Sequence, residues 1–258
     1  MEDFSTAYQI EKPYFTEDFM TVQIVHDKSN QKYFAVDHSK NEEAKNSTEK
    51  IKSLYDRFEH FSGIHKLHSI AHDSEKNIDY FIYEYSQNGF LLSHVKDEKI
   101  DDKAKYQIML KLSEILLFFH SQNLVIRDLS LSNIILDEDN NPKIWSLAYC
   151  CNAGDTVKTF STFPHILPPE LPHLEYQASK EQDLWTLGAS FMMLLGGNFA
   201  PLFMSLRVNV PSSAFRPVFP KELSEPIKEL LQKILGKPEE RGSAQELNDY
   251  LKNIEIHD

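Results

Sequence analysis

Glycine is scarce in this chain: eight residues in 258, and none before Gly63. Globular proteins average roughly 7% glycine, so a glycine-rich phosphate loop ahead of Gly63 is excluded. No Walker A, GxGxxG, GxSxG or HExxH spacing occurs anywhere. P-loop, dinucleotide-fold, α/β-hydrolase and zinc-protease chemistry therefore lack their usual support. Cysteine is scarcer still. Cys150 and Cys151 are adjacent, and the ring that neighbours would close is strained. Both are expected to be reduced thiols in a cytoplasmic protein, and cysteine alone cannot build a zinc site. Positive charge is also short: 27 Lys and Arg face 39 Asp and Glu, leaving −12. That balance excludes nucleic acid as a general partner and disfavours an anionic membrane surface. The start, MEDFSTAYQIEKP, is acidic and has no apolar core, so no secretion signal is expected. The longest uncharged run, Leu184 to Leu206, is broken by Gly196, Gly197 and Pro201. It reads as a buried core helix ending at the glycine pair, not as a membrane span.

The length suits one large domain or two unequal lobes sharing a cleft. Such a chain buries about 70–75% of its unfolded surface and needs no disulfide or metal to fold. TVQIV (21–25) and KYFAV (32–36) flank the polar turn HDKSNQ and predict a hairpin. Residues 39–58 turn polar and then helical, with Ile51, Leu54, Tyr55 and Phe58 on one face. YFIYEY (80–85) predicts another strand, and Ser86, Gln87, Asn88 and Gly89 then punctuate the chain. Beyond that point the pattern is helical. Tyr106, Met109, Leu112, Leu116 and Phe119 recur at spacings of three and four. Ser224 and Pro226 open a helix that stops before Gly236. Ser243 and Glu246 predict a capping box ahead of Leu247, Leu251 and Ile254. His65, His68 and His72 cluster in sequence, but on a strand residues 65 and 68 face opposite sides, so no metal site is expected.

Residues 124–148, LVIRDLSLSNIILDEDNNPKIWSLA, carry a sharper signal. Ile126-Arg127-Asp128-Leu129 with Asn133 resembles the H-R-D-L-x-x-x-N catalytic loop of eukaryotic protein kinases. Ser146-Leu147-Ala148 stands where that family has D-F-G. The neighbours follow in order. Ala35-Val36-Asp37 stands for A-V-K, His60 to Ile64 for H-P-N-I, and Tyr83-Glu84-Tyr85, followed by Ser86, for the hinge. Pro168-Pro169-Glu170 is similar to A-P-E, Asp183 to Gly188 to D-x-W-S-L-G, and Lys237 to Arg241 to D-P-x-x-R. The resemblance implies an α+β, bilobal protein-kinase-like fold with a small β-rich N-lobe (1–86) and a larger helical C-lobe (87–258), one domain in all.

The family's phosphoryl transfer rests on positioning and charge neutralisation, and each part can be checked against this chain. Aligned on Val22, the loop pattern puts Phe15, Glu17 and Met20 at the glycine positions and Phe19 at the aromatic tip. Asp37 stands at the lysine and Ile51 at the helix glutamate that would orient it. Glu49 is two residues off. Ser146 stands at the metal-binding aspartate, and serine is a weak magnesium ligand. Asn133 is retained, and Asp137 reads as a turn residue. Asp128 is retained without its histidine, which is Ile126, or its lysine, which is Ser130; a structural role capping its own loop is expected. In an active member Arg127 would pair with a phosphorylated residue, for which Thr156, Thr159, Ser161 and Thr162 are available. The positions with structural roles survive: Asp183 for the catalytic-loop backbone, Glu170 and Arg241 for a buried ion pair.

Fold kept and chemistry lost is the pattern of a pseudokinase. The expected function is a catalytically inactive binding, scaffold or allosteric module for a protein partner, with an active kinase the first candidate. No cofactor is expected. The alternative is an atypical, weak Ser/Thr protein kinase using Asp128, for which ATP and magnesium would be required.

Overall fold

The computed structural model describes residues 2–16, 21–39, 48–97, 100–158, 167–171, 175–197, 217–220 and 222–254. Glu17, Phe19, Met20, Thr159, Ser161, Thr162 and the end of the uncharged run (198–206) lie outside them. The chain divides into two compact units, Met1–Asn88 with Lys143–Ala148, and Gly89–Pro142 with Tyr149–Asp258. The division is not a single cut, because the first unit takes back a short segment from beyond the catalytic-loop motif.

The first unit is built on a six-stranded sheet. Its strands are β1 (Glu2–Asp3), β2 (Tyr8–Thr16), β3 (Thr21–Asp27), β4 (Lys32–Asp37), β5 (Leu67–Asp73) and β6 (Ile78–Glu84), in the order β1-β5-β6-β4-β3-β2. All neighbours are antiparallel except β1, which runs parallel to β5. The predicted hairpin is β3–β4, pairing Thr21 with Asp37 through to His26 with Lys32. A helix of four residues, Phe4–Ala7, leads into β2. A helix that short cannot hold itself in water. It is held by Phe4, whose ring lies 4.0 Å from that of Tyr80 and nearly parallel to it. Phe4, Ala7 and Tyr8 bury Val25, Tyr33, Ala35, Ala71, Tyr80 and Ile82 on one face of the sheet. The other face carries Phe34, Val36, Phe81 and Tyr83 and faces the helix Thr48–Arg57, whose Ile51, Leu54 and Tyr55 are buried.

The second unit is mainly helical: Leu91–Lys96, then α4 (Asp102–Ser121), α5 (Lys180–Leu194), α6 (Glu225–Ile234) and α7 (Ala244–Asn253). Asp101 caps α4, accepting from the Ala104 amide at 2.8 Å. Helix α5 is buried almost all round, from Asp183 to Met192, and stops at Gly196 in the left-handed region. Gly188 permits its close approach to α6: a Cβ there would stand 2.7 Å from the Ile234 side chain. Two start signals differ from expectation. Ser224 precedes α6, but its hydroxyl makes no cap bond. Ser243 accepts from the Glu246 amide, yet the Glu246 carboxylate is bound by Lys233 at 2.9 Å, which displaces the return half of the capping box. Among the described residues no helix is long and apolar enough to cross a membrane.

Candidate functional site

Three of the first unit's motif positions fall on or beside one sheet face. Tyr55, one turn along from Ile51 on the same helix, donates its hydroxyl to the Trp145 carbonyl at 2.7 Å. Its ring stands 5.9 Å from that of Tyr83. Trp145, the residue before Ser146, then sets its indole against Tyr83 (5.6 Å), Phe34 (5.8 Å) and Phe15 (6.1 Å). Phe34 also meets Tyr85 at 5.0 Å and Tyr14 at 5.1 Å. Six aromatic rings from β2, β4, the end of β6 with the residue just beyond it, and the returning segment thus pack into one layer. Tyr83 is fully buried, and burial pushes its phenol up to about 12. Ser146 Oγ accepts from the Ala148 amide at 3.2 Å, an ordinary serine turn.

Asp37 does not belong to this face. Strand side chains alternate. Asp37 pairs with Tyr80, on the face covered by Phe4 and Tyr8; Val36 pairs with Phe81, on the face of Tyr83 and Trp145. The lysine of the family must share a face with the helix glutamate that orients it. On the sheet face that the helix meets through Tyr55 and Tyr83, the strand places Val36, wholly buried, and not Asp37. Matching letters to A-V-K puts the strand one residue out of register. Asp37 instead accepts from the Ser39 amide at 2.7 Å. His38 returns to the inner face against Phe81. Among the described residues neither of its ring nitrogens has a hydrogen-bond partner, and burial pulls its pKa down to about 4.

At the hinge, the Glu84 carbonyl is occupied: His65 Nε2 lies 2.6 Å from it and is the donor. Ser86 is buried. The other two clustered histidines go elsewhere, His68 onto the Tyr33 ring and His72 to Asp79.

The second unit holds the catalytic-loop motif. Asp128 Oδ1 accepts from the Ser130 hydroxyl at 2.7 Å and the Ser130 amide at 3.2 Å. Asn133 Nδ2 donates to the Asp128 carbonyl at 2.9 Å. Both side chains thus brace the turn that carries them. Beneath it lies Asp183, with no exposed surface. Its two oxygens accept from the Ile126 and Arg127 amides at 2.8 Å each and from His120 Nε2 at 3.0 Å. These bonds hold Arg127 in the left-handed region, at φ 66°. The Arg127 guanidinium is buried, donating to the Tyr149 carbonyl and the Tyr176 hydroxyl. Of the acceptors proposed for a phosphate, Thr156 is described and exposed, in a two-residue strand pairing with Gln177. Asp137 serves its own turn, accepting from the Asp139 and Asn141 amides. Farther along, Arg241 grips Glu170 with both terminal nitrogens, at 2.6 and 2.8 Å, donates to the Gly236 and Glu181 carbonyls, and lies 5.0 Å from the Trp185 ring.

The family described as the protein kinase domain matches residues 18–250. The chain belongs to the protein kinase domain family. Its relatives include the RAC-beta serine/threonine-protein kinase A of Xenopus laevis, 30% identical over 62% of this chain and 34% of that protein. Protein kinase C delta type of Homo sapiens is 28% identical over 74% and 28%. CBL-interacting protein kinase 10 of Oryza sativa subsp. japonica is 28% identical over 60% and 36%. The chain spans about a third of the length of these curated relatives. Membership accounts for a sheet-rich first part and a helical second part, and for the loop built on Asp183.

Motif reading in this kinase domain missed Phe34, Val36, Trp145 and His65. The sequence did hold a signal for the first two: Tyr33 to Val36 is apolar on both parities, so the strand is buried on both faces and its register is not self-evident. Nothing local marks His65 as a partner of Glu84.

Proposed function

We propose that this kinase domain transfers no phosphate and acts as a binding, scaffold or allosteric module for a protein partner, an active kinase being the first candidate. The observation that carries this reading is the aromatic layer of Phe15, Phe34, Tyr83, Tyr85 and Trp145 on the inner sheet face. A magnesium nucleotide needs open space there, a cation for its phosphates and a carboxylate for its metal. The residues present do not fit those needs. Phe15 occupies a loop position where the family has glycine, and its ring closes on Trp145. Val36 offers no charge, and His38 is neutral at physiological pH. Ser146 offers a hydroxyl engaged with the Ala148 amide. The adjacency of the two buried cysteines, Cys150 and Cys151, disfavours a disulfide between them and supports a reducing compartment such as the cytoplasm.

Thermal unfolding with millimolar ATP, with and without magnesium, tests the proposal. A ligand at a hundred times its Kd adds about 2.7 kcal/mol to the native state, and none of this is expected. A magnesium-dependent rise in Tm overturns it. Asp128 keeps the alternative open to one assay. Radiolabel transferred by the wild type and not by Asp128→Asn establishes a weak kinase in place of the module.

A further inference from the structure

The second unit carries a groove of about 1120 Å³ walled by α4, the end of α5, the start of α6 and α7. Its floor is apolar: Tyr106 and Met109 from α4, Leu195, Leu223 and Ile227, and Ile254 beyond α7. The Tyr106 hydroxyl is spent on the Leu251 carbonyl, leaving its ring to the groove. Tyr250 stands on one wall, 37% exposed, its hydroxyl pinned to the Pro226 carbonyl at 3.0 Å. That bond ties α7 to the first turn of α6 and keeps the wall in place. Small-molecule sites run to roughly 300–1,000 Å³; this volume accommodates several large side chains at once.

The rim decides the sign of the occupant. Lys105 bonds Asp102 at 2.9 Å, and Lys233 bonds Glu246 at 2.9 Å, so both lysines at the groove are neutralised locally. Glu222 and Asp249 are exposed at the rim. Neither has a cationic partner among the described residues. An apolar floor under a rim that presents the Glu222 and Asp249 carboxylates, on a chain of net charge −12, complements one kind of surface: apolar along one side, cationic along its flanks. We infer that this groove docks a basic amphipathic helical segment of a partner protein. The apolar face would fill the floor over Met109 and Leu223. Lysine or arginine on the flanks would meet Glu222 and Asp249. The inference rests on the reading of the chain as a binding module and names its partner's chemistry. Nucleotide binding by the first unit is a separate measurement, so either can fail alone.

Fluorescence anisotropy of the full chain with a labelled helical peptide of leucine and lysine tests the inference. The same peptide with glutamate for lysine is the charge control. Saturable binding of the lysine peptide only is expected. Glu222→Lys with Asp249→Lys should weaken it about tenfold or more, whereas Glu75→Lys with Glu138→Lys, the same charge change elsewhere, should stay within about twofold. Leu223→Gln should weaken it while leaving Tm close to wild type. Hydrogen-exchange protection on binding is expected at 223–227 and 249–254. Equal losses from both charge pairs, no saturable binding, or equal binding of the glutamate peptide overturns the proposal.

Discussion

The two units treat the family's polar framework in opposite ways. In the second, a buried aspartate and a buried arginine each satisfy several hydrogen bonds, and a loop in a strained conformation is held in place. In the first, the positions that would carry charge are apolar or turned away, and aromatic rings fill the space. Burying a charge is tolerable only when it is paired and bonded. Asp183 and Arg241 keep all their partners, so they persist. Once a cation and its glutamate are both absent, hydrophobic packing is the cheaper filling for the same volume, and Val36 and Ile51 provide it. On the function proposed above, loss in one unit and retention in the other follow from one rule.

The comparison breaks most readily at the retained network. Arg241→Ala should cost about 3–5 kcal/mol, because it strands the Glu170 carboxylate and two carbonyls. Asp183→Ala should cost a similar amount by freeing two buried amides and His120. Denaturant titration measures both, and losses below about 1 kcal/mol would falsify the role assigned to these bonds. The first unit's register is tested by a pair of substitutions to the same residue. Val36→Lys forces an ammonium among aromatic rings and should cost about 3 kcal/mol or more. Asp37→Lys, half-exposed on the opposite face, should cost about 1 kcal/mol, the bond to Ser39. The reverse order would put Asp37 back on the inner face.

His38 sharpens the contrast through pH. Its folded pKa, about 4, lies below the ordinary value near 6.5. The unfolded chain therefore binds the proton first, and stability present above pH 6.5 is lost as pH falls toward 4. At about 1.4 kcal/mol per pH unit the loss reaches about 3 kcal/mol. His38→Phe should remove that part of the acid sensitivity, read as the difference between the two proteins' denaturation midpoints across the window. The smallest effect is reserved for Asp128→Ala. Asp128 is itself only half-buried, and the loss of its bonds to Ser130 should cost only about 1 kcal/mol, well short of Asp183→Ala under the same titration.

What could be read from the sequence was what local pattern encodes. The β3–β4 hairpin, the long helix α4 and the order of motifs all declare themselves through turn residues, periodicity and spacing. So did the partners of Asp183 and Arg241, because the surrounding letters are those of the family. The facing of Asp37 was not legible. A single-residue slip reverses every side chain in a strand, and letters matched across Tyr33–Asp37 do not report which parity looks at the helix. Nor was the aromatic layer: Phe15, Phe34, Tyr83 and Trp145 come from four distant segments, and only the folded sheet brings their rings to one place. Phe4 and the first strand are in the same position, since nothing in EDFSTA advertises a stacking partner at Tyr80.

The return of residues 143–148 to the first unit has a consequence for how the chain is made. Tyr55 and the Trp145 carbonyl it binds are separated by 90 positions. At about 5–20 residues per second of synthesis, the ribosome needs roughly 5–20 s to cover that interval. For the part of that time after Tyr83 is made, 62 positions ahead of Trp145, the sheet has emerged with Phe34 and Tyr83 lacking the indole that covers them. Its apolar face is a site for chaperones or misassociation, and the closing step waits on a long-range contact of the kind that slows folding. The late arrival of one tryptophan thus sets when the nascent first unit becomes safe from its neighbours.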